Sequence, residues 1–221
     1  MTAAGVDDLV LRIDGSRPVS PSDVEAVLRL CDRAEDGYGA GVLIAYVSGV
    51  PLPGWTQTLS VGLITKWERA VRRLERLGLA TVAVAAGDTG GTALDVLLAT
   101  DFRIAVAGAR LVVPSDGEAT WPGMSLYRLA QQGAAGGLRR AVLLGTPIEA
   151  DQAVAAGLVD VVVDEPEGVL AEVAAVSATC TGTELAIRRQ LLFDAAQHSF
   201  EEALGAHLAA SDRALRRAAA S

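Results

Sequence analysis

The stretch Gly87–Asp101, which reads GDTGGTALDVLLATD, constrains the fold of this chain more than any other part of it. A strand-like run over Ala80–Ala86 ends in a glycine-broken turn, and a helical run over Thr92–Thr100 follows. Glycine lets a ligand approach the backbone closely, and a helix N-terminus adds partial positive charge at the same point. The junction therefore favours an anion or a developing oxyanion, although an ordinary strand-to-helix turn has the same pattern.

Strand-like and helical runs alternate along most of the chain. The predicted strands are Val10–Ile13, Gly41–Val47, Ala80–Ala86, Phe102–Ala107, Ala109–Pro114 and Leu158–Asp164. The first predicted helix begins near Pro21. The other predicted helices cover Val61–Leu77, Thr92–Thr100, Met124–Gly133, Ala135–Leu144 and Glu149–Ala156. From Pro166 to the end the chain is predicted to be nearly all helical. This order predicts an α/β core of parallel strands over residues 1–178 and a helical C-terminal region over 179–221.

Composition excludes several classes of protein. The 221 residues carry a net charge of −8, which argues against nucleic acid as a main partner. No apolar run reaches the roughly 18–20 residues that a membrane span needs, and the first ten residues lack the pattern of a signal peptide. Cys31 and Cys180 match no metal or redox spacing, so we expect reduced thiols, no metal and a cytoplasmic location.

Three segments together resemble the enoyl-CoA hydratase/isomerase (crotonase) family. The first is AAGDTGGTALDVLLATDFRIA, which is similar to that family's glycine-rich turn and the acidic helix after it. The second is the loop from Pro114 to Gly123, which has the spacing of the family's Pro-Glu loop. The third is LLGTPIEADQAVAAGLVDVVVDE at Leu143–Glu165. The resemblance covers roughly Val42 to Leu215 and implies a spiral of ββα units with a C-terminal helical region that packs between subunits.

The resemblance implies an oxyanion hole for an acyl-CoA thioester, made by two backbone N–H groups. One donor corresponds to Thr92, which follows Gly91; a β-branched residue would be strained there if its φ were positive. The other donor lies in the loop SGVPLPGW, where Gly54 and Trp55 are the equivalents. Trp55 could equally be a packing residue.

The resemblance also implies two carboxylates, and the chain departs from the family at both. The first glutamate corresponds to Asp95, which could act as a general acid or base if burial raises its pKa, or could simply complement the helix dipole. The second corresponds to Ser115, which cannot serve as a carboxylate base. Asp116 is a weaker candidate beside it, and Trp121 could line a pocket for an apolar acyl group or belong to the core.

The short length, Ser115 and Asp95 resemble one divergent branch of the family, that of the 3,5-dihydroxyphenylacetyl-CoA (dihydroxyphenylglycine) pathway of antibiotic biosynthesis. The resemblance implies a lyase that promotes dehydration and aromatisation of a polyketide-CoA, with coenzyme A present only as part of the substrate. Two alternatives stay open: a weakened homologue that binds a type III polyketide synthase or a sister hydratase, and an enoyl-CoA isomerase. A homo-oligomer, trimer or hexamer, is implied as well.

Overall fold

A computed structural model describes residues 9–37, 41–116, 123–133, 135–179, 184–195 and 197–220. Its strands are β1 (Val10–Asp14), β2 (Val42–Gly49), β3 (Ala80–Thr89), β4 (Phe102–Val106), β5 (Arg110–Leu111), β6 (Ile148–Glu149) and β7 (Val161–Val163). Its helices are α1 (Pro21–Asp36), α2 (Val61–Glu75), α3 (Gly91–Leu98), α4 (Ser125–Gln132), α5 (Ala135–Leu144), α6 (Ala150–Ala155), α7 (Glu167–Ser177), α8 (Glu184–Ala195) and α9 (Phe200–Ala220). A 3₁₀ helix covers Trp55–Thr58.

Parallel pairing in the order β1-β2-β3-β4-β7 forms the main sheet. Each connection between β1 and β4 runs through a helix, as parallel strands require, and this confirms the predicted α/β class. The short strand β5 extends the edge by pairing with the end of β3, and β6 pairs antiparallel with β5. Among the described residues, no helix is long and apolar enough to cross a membrane.

The two faces of the sheet have different covers. One face packs under α1, α2 and α3 around fully buried side chains such as Leu43, Leu74 and Leu97. The other face is smaller and is covered by α7 and by Leu185 of α8. Strand β2 alternates between these two clusters, which explains its continuous apolar sequence.

The predicted start of α1 is confirmed in detail. Ser20 is the N-cap, its side chain accepts the N–H of Asp23, and the Asp23 carboxylate accepts the N–H of Ser20 at 2.8 Å. This reciprocal arrangement is a capping box, which satisfies two donors that would otherwise be orphaned.

Several predicted boundaries differ from the observed ones. Strand β3 does not end at Ala86 but continues through Gly87 to Thr89, because Asp88 and Thr89 pair with β5. Strand β5 is only two residues long, against the six predicted at Ala109–Pro114, because the chain leaves the sheet after Leu111. Strand β7 likewise covers only Val161–Val163 of the predicted Leu158–Asp164.

Candidate active site

The loops that follow β2 and β3 leave the sheet at the same end, the carboxyl end of these parallel strands. The two strands are parallel, and their last paired residues are Gly49 and Thr89. The N–H of Gly90 donates to the carbonyl of Gly49 at 2.9 Å, which fixes the start of α3 against the end of β2. The fold thus places the loop that carries Trp55 and the turn that carries Thr92 at one end of the sheet, where ligands bind in open parallel sheets.

Gly91 provides the sharp turn into α3. Its φ is +55°, a conformation that glycine adopts without strain, and a Cβ there would lie 3.1 Å from Pro51 Cδ. The positive φ falls on Gly91, and Thr92 lies within α3. The backbone strain considered for the β-branched Thr92 therefore does not arise. Among the described residues, the N–H of Thr92 has no hydrogen-bond acceptor, as is usual in the first turn of a helix.

The other predicted oxyanion donors, Gly54 and Trp55, lie in the loop after β2. Trp55 begins the 3₁₀ helix and is buried, with 3% of its surface exposed. The N–H of Gly54, however, already donates to Asp116 Oδ1 at 2.7 Å. Gly54 is therefore not a free donor in this structure, and the role of Trp55 as an oxyanion donor stays a prediction.

Asp116 is an anchor for this loop. Its Oδ2 accepts the N–H of Thr56 at 3.1 Å and also the Thr56 hydroxyl. These hydrogen bonds, first the one from the Thr56 hydroxyl and then those from the two backbone N–H groups, lower the pKa of Asp116. A carboxylate held in its charged form is a poor proton acceptor at neutral pH, so the geometry favours anchoring over general base catalysis.

Two further residues of this loop, Ser115 and Trp121, were predicted to belong to the site. Ser115 is exposed, on the chain segment that follows β5. Trp121 lies outside the described residues, as do its neighbours 117–120 and 122. The predicted roles of Ser115 and Trp121 therefore stay predictions.

Asp95 lies one turn beyond Thr92 and is completely buried. Its Oδ2 accepts the indole N–H of Trp67, on α2, at 2.9 Å. Among the described residues, its Oδ1 has no partner within hydrogen-bond geometry, and neither has the buried hydroxyl of Ser125. The Ser125 hydroxyl nevertheless lies close enough to favour the charged form of Asp95, although the two atoms do not meet the geometry of a formed hydrogen bond.

The surroundings of Asp95 raise its pKa to about 7. Loss of hydration on burial is the largest cause, and the negative charge of Glu68 adds to it. The indole N–H of Trp67, the guanidinium of Arg128 and the hydroxyl of Ser125 act in the opposite direction. A carboxyl group with a pKa near 7 can both accept and donate a proton at neutral pH, which is the property that acid–base catalysis requires.

A cavity of about 850 Å³ lies between α2 and α4. Apolar side chains line part of it, including Leu59, Ile64 and Met124. Glu68 and Arg128 form its charged wall, where Arg128 Nη1 lies 3.0 Å from Glu68 Oε2. Asp95 itself does not line this cavity, but both Glu68 and Arg128, which do, shift the pKa of Asp95.

Sequence reasoning missed Trp67, Glu68, Ser125 and Arg128. Trp67 falls within the helix predicted over Val61–Leu77, and nothing in the sequence pairs it with Asp95. Glu68 accepts the N–H of Met124 at 2.8 Å and so ties α2 to the first turn of α4. Trp67 and Asp95 are 28 residues apart in the chain, and Glu68 and Arg128 are 60 apart, so local pattern carries no signal for these contacts.

Comparison with known proteins places this chain in one family. A protein of Amycolatopsis orientalis described as an enoyl-CoA hydratase is 59% identical over 214 residues, which cover 97% of this chain and 99% of that protein. The chain belongs to the enoyl-CoA hydratase/isomerase (crotonase) family. No family model matches the sequence.

Solved structures agree with the fold. An enoyl-CoA hydratase from Thermoplasma volcanium superimposes with a TM-score of 0.80 at 15% identity, over 94% of this chain and 88% of that one. A Pseudomonas aeruginosa protein gives a TM-score of 0.76 at 25% identity, over 94% of this chain and 99% of that one. The crotonase-like architecture expected from the sequence is thereby confirmed.

Proposed function

We propose that this protein is an acyl-CoA thioester lyase of the hydratase type, which removes water from a hydroxyacyl thioester. The observation that carries the proposal is the buried Asp95, one helical turn beyond the N–H of Thr92, with one carboxylate oxygen that has no partner among the described residues. The family to which the chain belongs and the description of its Amycolatopsis orientalis relative support the same class of substrate.

In this proposal the thioester oxygen accepts hydrogen bonds from the N–H groups of Thr92 and Trp55. Because those donors and the positive end of α3 favour negative charge, they stabilise the enolate that forms when the α-proton leaves. Asp95 in its charged form takes that proton. It then returns the proton to the departing β-hydroxyl group, so that one water molecule and one carbon–carbon double bond are the products.

A single carboxyl group can perform both transfers only if its two protonation states are close in energy. The pKa of about 7 meets that condition for Asp95. Ser115 stands where the family has a second glutamate, and its exposed hydroxyl cannot supply a base. A substrate whose dehydration is driven by aromatisation suits a site with one carboxyl group. We therefore propose a polyketide-CoA that becomes 3,5-dihydroxyphenylacetyl-CoA, in antibiotic biosynthesis, as the substrate.

A second candidate function is that of a partner protein for a type III polyketide synthase or a sister hydratase. Two observations favour it: the N–H of Gly54 is occupied by Asp116, and Asp95 has no exposed surface. Such a protein would keep the fold while having lost turnover.

The substitution Asp95→Asn separates these two functions. A catalyst should lose between about tenfold and 10⁴-fold in the rate of dehydration of a 3-hydroxyacyl-CoA, as measured by absorbance of the enoyl thioester. The variant Asp32→Asn, on an exposed face of α1, should retain the wild-type rate. If Asp95→Asn retains full stimulation of the synthase and wild-type protein shows no turnover alone, the partner function is the correct one. Activity on a β,γ-enoyl thioester without dehydration would instead show an isomerase.

A further inference from the structure

Trp67 is the one described residue that forms a hydrogen bond with the Asp95 carboxyl group. Its side chain is buried, with 1% of its surface exposed, and its Nε1 lies 2.9 Å from Asp95 Oδ2. A buried indole N–H needs an acceptor, and an indole can donate but cannot accept. The direction of this hydrogen bond is therefore fixed whatever the charge of Asp95.

That fixed direction decides where the proton of a neutral Asp95 lies. A protonated carboxyl group has one oxygen that carries the proton and one that only accepts. Because Oδ2 receives the indole N–H, the proton belongs on Oδ1, the oxygen that has no partner among the described residues. We propose that Trp67 is a positioning residue, which holds the Asp95 carboxyl group so that its transferable proton lies on Oδ1.

The charged groups around Asp95 are held independently of Trp67. Glu68 reaches it from α2 and Arg128 from α4, and these two form an ion pair with each other. Glu68 is fixed further by the N–H of Met124. Trp67 is uncharged, so its replacement removes one hydrogen bond to Asp95 and leaves the local net charge unchanged.

The effect of this hydrogen bond on the pKa of Asp95 has a predictable direction. An N–H donor stabilises the charged carboxylate more than the neutral acid, so it lowers the pKa of Asp95 against the larger effect of burial. Without Trp67 the carboxyl group would stay protonated to higher pH, and either oxygen could then carry the proton. The role of Trp67 in turnover rests on the proposed function, whereas its effect on protonation does not.

The test is a titration of Asp95 in the variant Trp67→Phe. The protonated carboxyl group is followed by its infrared C=O band, and Asp95→Asn identifies that band. We expect the titration midpoint to rise by about one to two pH units relative to wild type. The variant Leu74→Ala removes another fully buried side chain of α2 and should leave the midpoint unchanged.

A second variant keeps the experiment decisive if Trp67→Phe does not fold. Trp67→3-benzothienylalanine preserves the shape of the indole and replaces its N–H with sulfur, so it should shift the midpoint in the same direction. A wild-type midpoint in either folded variant overturns the proposal. A shifted midpoint in a protein without lyase activity leaves Trp67 as a positioning residue and refutes the proposed function alone. In an active enzyme, the pH profile of kcat/KM should shift with the midpoint.

Discussion

Helices α3 and α9 differ in how far they are buried. All eight residues of α3, Gly91–Leu98, are buried, and Asp95 is its one ionisable residue. Helix α9, Phe200–Ala220, is more than twice as long, and none of its residues with described burial is buried. A helix that is apolar all round belongs in a core, whereas α9 has a charged face and an apolar stripe that the described part of the chain leaves exposed.

This difference shows which parts of the molecule the isolated chain can explain. Helix α3 is buried by described residues, so its energetics and the chemistry of Asp95 follow from the contacts described. Four large apolar side chains of α9 are between 40% and 76% exposed, namely Phe200, Leu204, Leu208 and Leu215. They fall on one face of the helix, as positions i, i+4, i+8 and i+15 do, and such a stripe is typical of an interface.

The largest expected effect is a loss of stability on truncation of α3. Leu97 is fully buried, so Leu97→Ala should lower the free energy of unfolding by about 2–5 kcal/mol, measured by urea denaturation. The loss should not depend on protein concentration. The same substitution at Leu215, on α9, should cost under about 0.5 kcal/mol when the protein is dilute. Equal losses at the two positions in dilute protein would contradict the contrast between these helices.

The next effect is a pH dependence of stability that originates within α3. Because the folded pKa of Asp95 is raised from 3.8 to about 7, the folded chain keeps a proton that the unfolded chain has released between these pH values. The free energy of unfolding therefore falls as pH rises from about 4 to about 7, by roughly 2–4 kcal/mol from this group. Asp95→Asn should remove that contribution.

Denaturation of wild type and Asp95→Asn at pH 5 and pH 8 measures this contribution directly. The variant should gain stability relative to wild type on going to pH 8, because only the wild type must then hold an ionised carboxylate in the core. Lys66, on α2, is exposed, and Lys66→Gln should leave the pH dependence as it is in wild type. A constant difference between Asp95→Asn and wild type at the two pH values would show that Asp95 is ionised throughout.

The sequence predicted α3 far better than it predicted the site built on it. The glycine turn, the helix and the family register all follow from residues close together in the chain, and so does the position of Asp95. The donor to Asp95, Trp67, lies 28 residues earlier, and the Arg128 that faces Glu68 lies 60 residues later than its partner. The engagement of Gly54 by Asp116 joins loops 62 residues apart. Such contacts depend on how the elements pack, which periodicity does not encode.

A smaller effect is expected when a charge is placed on the apolar stripe of α9. If this stripe lies between copies of the chain, in the homo-oligomer that the resemblance to the family implies, Leu208→Glu should weaken assembly by about 1.5–3 kcal/mol, the value of one buried leucine. Sedimentation velocity over a range of concentrations would show the shift toward monomer. Ala206→Glu places the same charge on the opposite side of α9 and should leave assembly unchanged. Identical behaviour of the two variants would mean that the stripe is not an interface.

The smallest effect belongs to the charged face of the same helix. Arg216 and Asp212 form an ion pair at 2.9 Å, one turn apart, with 80% and 61% of their side chains exposed. Exposed pairs of this kind contribute little, because water screens the charges and two long side chains must be ordered. Asp212→Ala should therefore change the free energy of unfolding by less than about 0.5 kcal/mol, and salt should reduce even that. A larger loss would show that this charged face of α9 is covered in the assembled protein. Both faces of α9 would then lie in contacts, and the exposure of α9 would be a property of the single chain alone.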